Sequence, residues 1–184
     1  SYKKTSGTET YTDGEYISLD GVDSVSDTEY GTLYNYYAAS AGTVSGSSNS
    51  SNATYDICPS GWRLPTGGAS GELKALYDAY NSFSSMHNSI DNHGAAFPLS
   101  GAFTNSTPIS IGTVGNYWSS TVDPSDDTSM SHLYLSELNT TTANTSSRKD
   151  GQSIRCIMDE NYTVTINYDA NGNYFDNDAS HTSN

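Results

Sequence analysis

Apolar residues in this chain come in short bursts separated by long polar stretches, a spacing that predicts several short strands and little helix. The first strong burst, Leu33-Tyr34-Asn35-Tyr36-Tyr37-Ala38-Ala39, is aromatic-rich, flanked by glycines, and reads as a strand. Further strands are predicted over residues 116–121, 132–136 and 152–157, with an edge strand over 15–19. Tyr162-Thr163-Val164-Thr165-Ile166-Asn167-Tyr168 alternates cleanly as another strand, and the tail from Asp176 is expected to be disordered. Only one stretch changes period. Leu73, Leu76, Tyr77 and Tyr80 fall at i, i+3, i+4 and i+7, which predicts a helix over 72–80 with Ser70 as its cap. Residues 40–54, 123–127 and 139–150 read as polar surface loops, and 81–115 as Gly-, Asn- and Ser-rich chain around an apolar island at 95–99. One helix among many short strands predicts an α+β fold.

Composition narrows the functional classes. Hydrophobic residues make up 34% and charged residues 15%, with 15 tyrosines, which is unlike the low-hydrophobicity, high-charge signature of disordered chains. The formal net charge is −14, from 21 acidic against 7 basic residues. Nucleic-acid binding requires cationic neutralisation of phosphates, and the basic pairs Lys3-Lys4 and Arg148-Lys149 are too few for it. An anionic membrane surface is disfavoured for the same reason, and no apolar run reaches the ~20 residues of a membrane span. The chain opens at Ser1 without Met, so it reads as a processed or excised fragment.

The rarest residues concentrate in Cys58-Pro59-Ser60-Gly61-Trp62-Arg63-Leu64-Pro65-Thr66, while the second cysteine lies far downstream in Ser153-Ile154-Arg155-Cys156-Ile157. Two cysteines alone leave both a bridge and two free thiols open; their contexts favour the bridge, as the clasp of one domain. Trp62 and Trp118 read as core anchors, and Arg63 and Arg155, beside the cysteines, as ion-pair partners. These stretches, with Tyr34–Ala39, Phe97-Pro98-Leu99-Ser100-Gly101 and Tyr117-Trp118-Ser119-Ser120-Thr121, occur in an order that resembles the Fibrobacter succinogenes major paralogous domain. That is a bacterial secreted or surface module related to the C-type-lectin-like and formylglycine-generating-enzyme-like folds. The segment from Thr163 to Gly172 resembles the start of a Listeria–Bacteroides surface repeat. The first resemblance implies a C-type-lectin-like fold, with a small twisted antiparallel sheet, one main helix and long loops. It also implies a Cys58–Cys156 disulfide. The resulting division is an N-terminal extension over 1–29, a lectin-like domain over 30–159 and a strand and tail over 160–184.

Catalytic and metal chemistry is weakly signalled. His87, Asp91 and His93 lack the i, i+4 spacing of a helical metal site, and Asp123, Asp126 and Asp127 do not match an EF-hand. Calcium-dependent lectins of the related fold carry a Trp-Asn-Asp motif where this chain has Trp118-Ser119-Ser120. The formylglycine-generating relatives need reactive cysteines, which a bridge would consume. No serine lies in Gly-x-Ser-x-Gly. The expectation is therefore a non-enzymatic extracellular or cell-surface module without a cofactor, adhering to an unknown protein or glycan. Its contacts are assigned to Asn105, Asp123, Ser125, Asp126, Asp127, Ser129, His132, Tyr134, Asn139, Thr142, Asn144 and Ser146. Their Tyr/Asn/Ser/Asp-rich loops resemble paratope chemistry and suit diversification of a lectin-like scaffold. Sequons at Asn49, Asn52, Asn105, Asn139, Asn144 and Asn161 add possible glycan sites. The rival expectation is a subunit of a surface fibre, self-associating through the strand at 162–168.

Overall fold

The computed structural model describes residues 3–4, 16–18, 31–41, 52–87, 97–105 and 107–160. The fold is governed by what covers a three-stranded antiparallel sheet, ordered β7 (Val114–Asp123), β8 (Asp126–Ser136) and β9 (Thr141–Ser147). The middle strand, β8, is buried from Met130 to Leu133, so both faces of the sheet need cover. On one face Tyr117, Leu133 and Leu135 pack with Leu73, Met86, Phe97 and Leu99, brought there by α2 (Glu72–Tyr80), α3 (Phe83–His87) and the segment after it. On the other, Trp118 and Met130 pack with Leu64 and with Tyr36 and Ala39 of α1 (Tyr36–Ala39). Adjacent residues Tyr117 and Trp118 thus anchor opposite cores, each with an edge-on aromatic partner: Phe97 at 5.0 Å and Tyr36 at 5.2 Å.

Small sheets surround this centre. β1 (Lys3–Lys4), β2 (Tyr16–Ser18) and β3 (Thr32–Tyr34) form one, β5 (Ala102–Thr104) and β6 (Thr107–Ile109) a hairpin, and β4 (Trp62–Arg63) pairs with β10 (Ile157–Met158). Among the described residues this is a strand-rich α+β architecture with three helices.

Several local expectations are corrected. Only the first part of the burst at 33–39 is strand. Asn35 ends it, its side-chain oxygen accepting the Ala38 N–H at 2.9 Å and so capping α1. Residues 139–150, read as a loop, contain β9, and 81–115 contain α3, β5 and β6. The strand at 152–157 shrinks to bridges at Gln152 and Ser153 followed by β10. Ser70 does not cap α2; the Glu72 N–H instead meets the Thr66 hydroxyl at 3.0 Å. The strand at 162–168, the tail, Asp91, His93 and the sequons at Asn49 and Asn161 lie outside the described residues.

Cys58 and Cys156 are joined by a disulfide with Cα atoms 5.9 Å apart and a separation of 98 in sequence. On the chain-entropy account a loop of that size adds about 4–5 kcal/mol of stability. Polar contacts hold the stretch that follows Cys58. The Asp56 carboxylate accepts the N–H groups of Cys58 at 2.9 Å and Leu64 at 2.8 Å. Arg63 makes a two-pronged bond to Glu72, at 2.5 and 2.7 Å, and Glu72 also accepts the Thr66 N–H at 2.9 Å. The clasp and the start of α2 are therefore one hydrogen-bonded unit.

Candidate functional site

β7 and β8 meet in a two-residue turn, Pro124-Ser125, between paired Asp123 and Asp126. Carboxylates and hydroxyls arrange this tip themselves. Asp123 accepts from the Ser125 N–H at 2.8 Å and its hydroxyl at 2.7 Å; Asp126 accepts from the Thr128 N–H at 2.9 Å, the Thr128 hydroxyl at 2.6 Å and the Ser129 hydroxyl at 2.8 Å. These bonds hold both carboxyls below the usual aspartate range, chiefly through the Ser125 N–H for Asp123 and the Thr128 hydroxyl for Asp126. Ser125, Asp126, Asp127 and Thr128 are exposed, so the tip presents fixed negative charge ringed by hydroxyls.

The other predicted contact residues do not join it. Asn139, exposed in the β8–β9 connection, and half-buried Tyr134 sit toward the far end of β8, which at about 3.3 Å per residue places that end roughly 30 Å from the tip. Exposed Asn105 belongs to the β5–β6 turn, with a left-handed backbone at φ 50°. On β9 the outward positions are Ala143, Thr145 and Ser147, whereas Thr142, Asn144 and Ser146 alternate inward. Thr142 is buried, and the Asn144 amide meets His132 Nε2 at 3.1 Å. His132 itself is buried, edge-on to Trp118 at 6.0 Å, and burial pushes its pKa down to about 4. His132 and Thr142 are thus core residues. His87, the remaining described histidine of the weighed metal group, meets the Phe97 carbonyl through Nδ1 at 3.1 Å and stacks on Phe83. Among the described residues no group of three or more His, Cys, Asp or Glu side chains is placed to hold a metal ion.

Two hollows emerge that sequence reasoning did not assign. One, of about 640 Å³, lies near the β8–β9 connection between Phe83, His87, Leu99, Tyr134, Glu137 and Leu138. The other, about 680 Å³, runs along the disulfide between Trp62, Leu76, Phe97, Ile154, Ile157 and Met158. Trp62 faces Met158 across the β4–β10 pair, and both are exposed, at 49% and 66%. Trp118 is the core anchor expected; Trp62 is not, because the Pro59–Gly61 turn swings its strand to the rim. Nothing in the local sequence separates the two tryptophans. Arg63 pairs with Glu72 as expected of it, but Arg155 lies over the Phe97 ring, 5.0 Å from its centre.

No family model, no curated protein and no solved structure matches the chain.

Proposed function

We propose that the chain is an extracellular or cell-surface binding module on a C-type-lectin-like scaffold, recognising a protein or glycan partner and not performing catalysis. The observation that carries this reading is the β7–β8 tip, where polar groups project on a turn held by its own side chains. The two strands beneath it are fixed by cores on both faces, inside the loop that the disulfide closes. A rigid support carrying a polar loop is how binding surfaces are commonly built. The resemblance to the Fibrobacter domain supports the same reading. The bridge suits an oxidising compartment, and it occupies both thiols that a formylglycine-type reaction would require. No helix among the described residues is long and apolar enough to cross a membrane.

Within this proposal the contact set contracts to one end of the sheet: Asp123, Ser125, Asp126, Asp127 and Ser129. A glycan array and a pull-down with the intact chain test it. Replacing residues 123–129 with Gly/Ser should abolish capture while the melting temperature stays within a few degrees of the parent; retained capture rejects the assignment.

A further inference from the structure

The disulfide-side groove combines features that the tip lacks, and we infer that it is a second binding site, for a peptide presenting an apolar side chain next to a single carboxylate. Its walls are mostly apolar, with the Trp62 indole and the Met158 thioether exposed at the rim. Burying such a rim under an apolar side chain removes surface that a monomeric protein otherwise leaves wet. A volume of about 680 Å³ lies within the ordinary range for ligand pockets, roughly 300–1,000 Å³.

Charge supplies the second half of the recognition. Among the described residues Arg63 is matched by Glu72 and Asp159, and Lys74 by Asp78. Arg155, in the groove lining, has no carboxylate within 4.0 Å among them and rests on the Phe97 ring. In a chain of net charge −14 an arginine in that setting is unusual, and its forked donors suit one carboxylate. Asp159 and Glu160, which follow Met158 in the chain, and the acidic chain as a whole oppose a polyanion, so the match is to one carboxylate and not to an acidic run. A sugar acid fits less well, because its ring hydroxyls would meet mostly apolar wall and go unpaired.

The test uses the intact oxidised chain and fluorescent blocked peptides carrying Phe-Asp or Phe-Asn, with a hexuronate disaccharide as the rival probe. Phe-Asp should bind, Phe-Asn about tenfold more weakly, and the disaccharide not at all. Arg155→Gln should erase the difference between the peptides, and Arg155→Lys should keep part of it. Met158→Glu, at an exposed position that leaves folding intact, should abolish Phe-Asp binding. Equal binding of the two peptides, a Phe-Asp affinity unchanged in Met158→Glu, or preference for the disaccharide would each overturn the proposal.

Discussion

Two tryptophans with the same sequence credentials make different contributions, and the difference is measurable. Trp118 is fully buried, donates its indole N–H to the Tyr34 carbonyl at 2.8 Å and meets Tyr36 and His132 edge-on. Trp118→Ala should cost about 3–5 kcal/mol in urea denaturation, whereas Trp62→Ala, at the half-exposed rim, should cost less than about 1 kcal/mol. His132 gives a pH signature. Its native pKa, about 4, lies below the ordinary 6.5, so the unfolded chain binds the proton more readily across that interval. Its contribution is therefore intact above pH 6.5 and is lost as pH falls towards 4, on the order of 3 kcal/mol in all. Denaturation midpoints across that window should slope in the parent and flatten in His132→Gln.

At the level of elements, the Arg63–Glu72–Thr66 contacts lock β4 to α2. The Arg63 bond and the Thr66 donors pull the Glu72 carboxyl from an ordinary 4.5 down to about 2. A depressed carboxylate stabilises the fold above its unfolded pKa, and that stabilisation drains as pH drops from 4.5 towards 2. Because the pair is about one-third exposed, solvent screening leaves about 1 kcal/mol. Glu72→Gln should lose that amount at neutral pH and show a shallower acid limb in thermal melts. The legibility of elements follows from the same physics. Helix α2 declares itself because Leu73, Leu76, Tyr77 and Tyr80 must share one face. Strand β9 does not, because Thr141-Thr142-Ala143-Asn144-Thr145-Ser146-Ser147 has no apolar alternation and is held by backbone pairing with β8. The burst at 33–39 misleads for the opposite reason: its aromatics do enter the core, but one capping asparagine decides whether they arrive on a strand or a helix. The candidate sites were half visible. Acidic turn residues advertise an exposed tip, whereas a groove assembled from residues 59–76, 97 and 154–158 exists only after folding has brought them together.

For the whole molecule, the bond between Cys58 and Cys156 is the covalent cross-link among the described residues. Reducing it, or replacing both cysteines with alanine, should lower stability by about 2–5 kcal/mol, read as a drop in denaturation midpoint that reductant no longer changes in the double variant. The same bond sets how the molecule bears tension. A pull applied ahead of residue 58 and beyond residue 156 is carried from one sulfur to the other once the contacts of β3 and α1 with the enclosed chain have parted. Single-molecule stretching of the oxidised protein should thus withhold the contour length of 98 residues, about 340 Å at ~3.5 Å each, and reductant should release it in one added extension. Loads that strip β3 and α1 away would then still leave the β7–β8 tip inside a covalently closed loop.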